Sequence, residues 1–292
     1  MGDPRIASTP DKPLRQYADH SRDWRGNLYV YPVISRRSRG LSIGVNLNPD
    51  AACNFDCVYC CVDRTRPPAV RKVDLVILEN ELRQLIEAAR TSIFDEPEFR
   101  DIPPPLRRIN DIAFSGDGEP TASPHFGQAA EIAAKIRQEF QLSSAKIITI
   151  TDACFLRQAS VVEALAFLDG HNGEIWAKLD AGTEAYFQLV DRPNKSLSHV
   201  LDNILAAARI RPIVIQSIFM RMHGQPPPAE ERAAFAERIR WLLDNGAALS
   251  LVQVYTVARR TAESFVSTLT ADELQQIADA VRPLGVPVEV YP

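Results

Sequence analysis

Seven apolar runs rich in β-branched residues recur along the chain: GLSIGVNL (40–47), INDIAFSG (109–116), AKIITIT (145–151), EIWAKLDAG (174–182), PIVIQSIFM (212–220), ALSLVQVYTV (248–257) and VPVEVY (286–291). They are nearly continuous rather than alternating, which is the pattern of strands covered on both faces. Between them, apolar residues return at helical spacing over 74–90, 125–140, 160–168, 198–210, 229–245 and 271–283. Asp74 is placed to cap the first of these helices. Asn245-Gly246 is a stop signal for the fifth, and Thr270-Ala271-Asp272-Glu273 spells a capping box for the sixth.

Strict alternation of strand and helix implies right-handed βαβ units and a parallel sheet. Six units predict an α/β fold, a partial (βα)6 TIM-like barrel. The short run at 286–291 adds an extra C-terminal strand. An irregular N-terminal extension (1–39) precedes the barrel domain (40–292), and an open doubly wound sheet is the competing architecture. In either, ligands gather beyond the C-terminal ends of the strands. The Pro-rich piece FDEPEFRDIPPPLRR (94–108) precedes a strand and so belongs to the opposite face, in a structural or partner-facing role.

Composition narrows this little further. The chain has 292 residues, 46% hydrophobic and 24% charged, an ordinary globular mix. No apolar run is long enough for a membrane span, and the polar start MGDPRIASTPDKPLRQ has no apolar signal core. The net charge of −4 disfavours a broad nucleic-acid surface. Arg36, Arg37 and Arg39 read as a solvated basic segment. Five cysteines, four of them crowded together, are no disulfide framework; a reducing cytoplasm is the expected setting.

Those four cysteines lie in CNFDCVYCC (53–61), just beyond the first strand of the repeat. Cys53, Cys57 and Cys60 on one tight loop form a tripod of thiolates. Structural zinc wants four ligands, usually from two separated pairs, and no second pair exists. A disulfide oxidoreductase needs one C-x-x-C pair and leaves Cys53 unexplained. An iron–sulfur cube held by three cysteines fits better, because one iron stays open to a small molecule. This C-x3-C-x2-C loop, with the aromatic Tyr59 before its last cysteine, resembles the signature of the radical S-adenosylmethionine (radical SAM) superfamily. The resemblance implies a [4Fe-4S] cluster on Cys53, Cys57 and Cys60, with Cys61 a spectator.

Further motifs sit at other strand ends. SGDGEPT (115–121) lets the backbone approach a ligand closely. It resembles the superfamily's glycine-rich motif, which implies Ser115, Gly116, Gly118 and Glu119 around the methionine amino group of SAM. Asp117 departs from the common glycine there. Cys154, after the third strand, reads as a small buried residue. Lys178 and Asp180, two apart, share one face. They pair with each other or, in a barrel mouth, meet the carboxylate of SAM (Lys178) and either SAM or the substrate (Asp180). Gln216 and Tyr255 on later strands complete the expected SAM contacts. Asp191–Asn194, His223, Arg259 and Arg260 are placed where a substrate could be met.

Taken in order, NLNPDAACNFDCVYC, FSGDGEPT, KLDAGTEAYF, RPN, PIVIQSIFM and VQVYTVARRTAE resemble the branch containing wyosine-type tRNA base synthases and related radical SAM proteins. The resemblance spans roughly residues 28–291 and implies reductive cleavage of SAM to a radical that abstracts hydrogen. It implies as partners a low-potential donor such as flavodoxin or ferredoxin and an unidentified substrate, a tRNA base or a protein or peptide among them. The second cluster of archaeal wyosine synthases has no counterpart, since residues 1–52 contain no cysteine. A non-catalytic iron–sulfur or zinc-binding protein is the alternative.

Overall fold

The computed structural model describes residues 14–18, 24–65 and 67–292. Most of the polar N-terminal stretch read above lies outside them. A four-residue helical turn, α1 (Arg15–Ala18), leads to β1 (Val30–Ser35) and β2 (Gly40–Val45). Then come α2 (Leu75–Thr91), β3 (Ile109–Phe114), α3 (Phe126–Glu139), β4 (Lys146–Thr151), α4 (Ala159–Asp169) and β5 (Gly173–Lys178). After these follow α5 (Glu184–Val190), α6 (Leu197–Ala208), β6 (Ile213–Ile218), β7 (Arg221–Met222), α7 (Ala229–Asp244) and β8 (Leu249–Tyr255). The chain ends with β9 (Val266–Ser267), α8 (Ala271–Val281) and β10 (Val288–Tyr291).

The sheet runs β1-β2-β3-β4-β5-β6-β8-β10. Within this sheet every pairing from β2 onward is parallel and β1 is antiparallel to β2, while β7 and β9 form a separate antiparallel pair. Helices cover its outer face, and the curled inner face encloses a partial TIM-like barrel. Strand parity separates two cores. Ile112 and Phe114 turn outward into the main core, whereas Ala113, Ile148, Trp176 and Val214 form a small separate cluster inside.

The expected signals operate. Asp74 Oδ1 accepts from Val76 N (2.9 Å) and Ile77 N (3.2 Å), capping α2. Thr270 and Glu273 form the reciprocal capping box of α8. Gly246, just past α7, holds φ +87°, a conformation that favours glycine.

Two features depart from the sequence reading. Residues 30–35, read as part of an irregular extension, form β1. Pro32 breaks its apolar run in the sequence, but an edge strand tolerates proline. In addition, α5 is too short to announce itself by periodicity, yet it organises the site.

The sheet's two edges are tied together. Arg36, just after β1, donates from Nη2 to Thr256 O at 3.2 Å and from Nη1 to Pro292 O. Arg39 pairs with Glu289 at 3.5 Å. The segment read as a solvated basic run therefore closes the barrel's flank, because exposed edges leave unpaired carbonyls that guanidinium groups satisfy. No helix among the described residues is long and apolar enough to cross a membrane.

Candidate active site

The cysteine loop leaves β2 at the C-terminal end of the sheet and is pinned from several sides. Asp56 N donates to Asp191 O (3.2 Å) and Val58 N to Val190 O (2.9 Å), both at the end of α5. The Phe55 ring packs edge-on against Phe187 of α5, centroids 5.6 Å apart. Ala262 N donates to Cys60 O at 2.7 Å. Arg64 holds the loop's two ends, donating from Nε to Ala51 O (3.1 Å) and from Nη1 to Cys60 Sγ (3.2 Å).

All four loop cysteines are free thiols, and Cys53, Cys57, Cys60 and Cys61 line one cavity of about 320 Å³. Burial pushes the Cys53 thiol up to about 11 and raises Cys57 well above its ordinary value. A metal takes such thiols as thiolates, so its binding here would release their protons. Among the described residues, no three His, Cys, Asp or Glu side chains converge on the position of a single metal ion. Cys154 is buried and lies away from this cavity, as read from the sequence.

The 115–121 turn packs directly under the loop. A Cβ added at Gly118 would come within 2.1 Å of Ala52 O, and one at Gly116 within 2.3 Å of Asn46 Oδ1. Asp117, where the common motif has glycine, exchanges two bonds with Asn46: Asn46 Nδ2 donates to Asp117 Oδ2 (2.7 Å) and Asp117 N to Asn46 Oδ1 (3.1 Å). Glu119 is already well engaged. It accepts from Thr121 N (2.9 Å), Thr151 Oγ1 (2.7 Å), Asp152 N (2.7 Å) and the Thr121 hydroxyl. Burial, then the Asp152 charge, lifts its carboxyl to about 8.

Lys178 and Asp180 pair with each other at 3.0 Å, and Lys178 Nζ also donates to Tyr255 Oη at 2.7 Å. The Tyr59 hydroxyl lies 2.5 Å from Asp180 Oδ2 and 3.0 Å from Asp191 Oδ1. Asp180 Oδ1 accepts from Ile218 N at 2.9 Å. Burial lowers the tendency of Lys178 to hold its proton, but Asp180, Tyr255 and Asp191 together more than compensate. Asp191 is raised by burial and by Asp180. Tyr59, Lys178, Asp180, Asp191 and Tyr255 thus form one buried network under the cysteine loop. Gln216 lies beside it, bonded to Gln253 Oε1 at 3.1 Å.

Of the residues read from the sequence, Cys53, Cys57, Tyr59, Cys60, Ser115, Gly116, Gly118, Glu119, Lys178, Asp180, Gln216 and Tyr255 all line this cavity, as do Asp191 and Arg259. His223 and Arg260 do not; the His223 ring stacks on Phe265 at 4.4 Å. The Pro-rich piece 94–108 contributes nothing to the cavity wall. Sequence reading passed over Arg64, Asp111 and Trp176, and it assigned Arg37 to solvent. Inward parity on the strands was the signal available for Asp111 and Trp176.

No protein-family model matches the chain. It is 29% identical over 174 residues to a UPF0026 protein of Methanocaldococcus jannaschii, covering 60% of this chain and 46% of that one. To a GTP 3′,8-cyclase of Parasynechococcus marenigrum it is 28% identical over 153 residues, 50% and 39% of the two chains. To a GTPase Obg of Brachyspira hyodysenteriae it is 24% identical over 166 residues, 57% and 21%. The matched part is thus less than half the length of each of these relatives. Among solved structures, a radical SAM methyltransferase from Sphaerobacter thermophilus superimposes with a TM-score of 0.57 at 15% identity, over 90% of this chain and 69% of that one. Streptococcus suis SuiB bound to S-adenosylmethionine gives 0.55 at 10% identity, over 88% and 49%. The fold is that of radical SAM proteins. At that level the resemblance read from the cysteine loop is borne out.

Proposed function

We propose that this chain is a radical SAM enzyme that holds a [4Fe-4S] cluster on Cys53, Cys57 and Cys60 and binds SAM beside it. The observation that carries this reading is positional. Three free thiols surround the mouth of a parallel barrel, on a loop pinned by α5, above a polar cavity. When bound, the cluster supplies the electron that cleaves SAM to methionine and a 5′-deoxyadenosyl radical, which takes a hydrogen atom from the substrate.

The chain's own residues position and shield. The Arg64 guanidinium donates to Cys60 Sγ and so fixes that sulfur at the end of the loop. Gly116 and Gly118 keep the turn low enough for a ligand to approach the loop. Glu119 and the Lys178–Asp180 pair face the cavity as acceptor and donor for the charged end of SAM, and Ser115 and Gln216 offer further hydrogen bonds. Tyr59 joins the loop to Asp180, so the cysteine mouth and the barrel wall move as one unit. Apolar Phe55 and Phe187 limit water beneath the loop. A low-potential electron donor, such as flavodoxin or ferredoxin, and a substrate complete the system.

The test is anaerobic reconstitution with iron and sulfide, followed by incubation with SAM and dithionite. Wild-type protein is expected to take up close to a full cluster and release 5′-deoxyadenosine. Cys53→Ala, Cys57→Ala and Cys60→Ala should each lose both, while Cys61→Ala keeps the cluster. A full cluster spectrum in Cys57→Ala, or no 5′-deoxyadenosine from a fully loaded wild type, would overturn the reading.

A further inference from the structure

Below the SAM-binding level the barrel holds a second set of polar groups that no protein partner satisfies. Asp111 is 1% exposed; its Oδ1 accepts from the Ser42 hydroxyl, but Oδ2 accepts nothing. Trp176 is 5% exposed, and its Nε1–H donates to nothing. Arg37 reaches in from the β1–β2 turn and lies 4.6 Å over the Tyr255 ring and 5.9 Å over the Trp176 ring. Its guanidinium has ring contacts but no hydrogen bond to a described residue. All three groups line the one cavity. A buried polar group left unpaired costs on the order of 1–3 kcal/mol, and a charged one more. Two such buried groups, Asp111 Oδ2 and Trp176 Nε1, with the half-buried Arg37 beside them, point to a ligand that pairs them.

Asp111 lies deeper than the glycine-rich turn, while Tyr255 borders both sets. Asp111 stands four residues before Ser115 on β3, roughly 13 Å along a strand. The charge and shape define what fits. Arg36 and Arg259 join Arg37 on the cavity wall, and burial together with Arg37 lowers Arg36 to about 10. Three guanidinium groups therefore lie on the cavity wall with the Asp111 carboxylate, whose Oδ2 has no partner, and this favours a ligand carrying an anionic group. Tyr255 and Trp176 present ring faces, and Ala113, Ile148 and Val214 an apolar floor, which favour a planar group. Arg36 and Arg39 tie β1 to the far edge and close the barrel's flank. A small molecule entering past the cysteine mouth fits that enclosure, and a macromolecular surface does not.

We propose that this lower chamber binds a small organic anion built on a planar ring that carries an N–H group. The ring N–H donates to Asp111 Oδ2, a ring carbonyl or nitrogen accepts from Trp176 Nε1, and the anionic group meets Arg37, with Arg36 and Arg259 alongside. That this ligand is the enzyme's substrate rests on the radical SAM reading; that it binds here does not.

The three tryptophans permit a local readout. Full-length reconstituted protein labelled with 5-fluorotryptophan is titrated with uridine 5′-monophosphate, guanosine 5′-monophosphate, N3-methyluridine 5′-monophosphate and inorganic phosphate. The Trp176→Phe variant identifies the Trp176 resonance. At least one of the two N–H-bearing nucleotides is expected to shift that resonance, and the N-methylated one and phosphate to bind about tenfold or more weakly, the scale of one lost charge-assisted hydrogen bond. Asp111→Asn and Arg37→Ala should each weaken the nucleotide by a similar factor while the cluster spectrum is unchanged. The proposal is overturned if neither nucleotide moves the Trp176 resonance at millimolar concentration. Equal binding of phosphate alone, full affinity in both variants, or a response only to an RNA stem-loop or glycine-containing peptide would also overturn it. Nucleotide binding in a protein that makes no 5′-deoxyadenosine would sink the enzymatic reading and leave the pocket standing.

Discussion

Asp111 illustrates how one side chain can work against the stability of the fold that holds it. Burial pushes its carboxyl from 3.8 up to about 6, against the pull of hydrogen bonds from Ser38 and Ser42. A carboxyl whose folded value is raised binds more protons folded than unfolded between those two values. Its contribution to stability therefore falls as pH rises from about 4 to 6 and stays lost above. Asp111→Asn keeps the shape and removes the charge. It is expected to be more stable than wild type at pH 7 by on the order of 2 kcal/mol, with the difference vanishing near pH 4. Urea denaturation of the metal-free protein at both pH values checks this, and equal stability at pH 7 would contradict the burial argument. A substitution that stabilises the fold yet weakens ligand binding is the signature of a group kept for binding. Gly118 makes the complementary case: its role was readable from the turn sequence, but the 2.1 Å approach to Ala52 O, which explains it, is not visible there. Gly118→Ala is expected to push the cysteine loop outward and lower the iron bound on reconstitution, with the chain's helical circular dichroism retained.

At the level of elements, the clearest lesson is α5. Seven residues carry too little periodicity to be read as a helix against the flanking strand and loop. Yet the cysteine loop hangs its backbone on the carbonyls of Val190 and Asp191 and its Phe55 ring on Phe187. Phe187→Ala removes that ring contact and opens a void that costs about 3 kcal/mol or more if it stays empty. Faster hydrogen exchange over residues 55–60 is the expected outcome, with exchange in α2 and α3 unaltered. If the loop exchanges as slowly as in wild type, α5 is not what holds it. By contrast, the long strands and helices were legible, because each buries one broad face and its hydrophobic spacing records which. Asp74, Thr270 and Glu273 also acted as their sequence positions implied, since caps are local interactions that need no tertiary partner.

For the whole molecule, the question is how the sheet avoids two raw edges. Arg36 answers it by donating to the carbonyls of Thr256 and Pro292, and Arg39 adds its pair with Glu289. Arg36→Met keeps the aliphatic stem and deletes the donors. It is expected to cost on the order of 1–3 kcal/mol and to speed hydrogen exchange in residues 286–292 selectively. Uniform exchange there would mean that the edges are held by packing alone.

The sequence by itself determined the strand–helix repeat, the parallel sheet and the thiol tripod at its mouth. These are short-range records: hydrophobic period, caps, and cysteine spacing within one loop. It also placed Glu119, Lys178 and Tyr255 on the cavity wall, because strand ends face one mouth. Only the tertiary structure decided that Lys178, Asp180 and Tyr59 satisfy one another, that Asp191 supports the cysteine loop, and that Arg37 lies over the Tyr255 ring. Contacts that the fold makes can join residues as far as 256 positions apart, as between Arg36 and Pro292. Hydrophobic pattern says whether a side chain is covered, but only the packed strands say which charge, ring or carbonyl covers it.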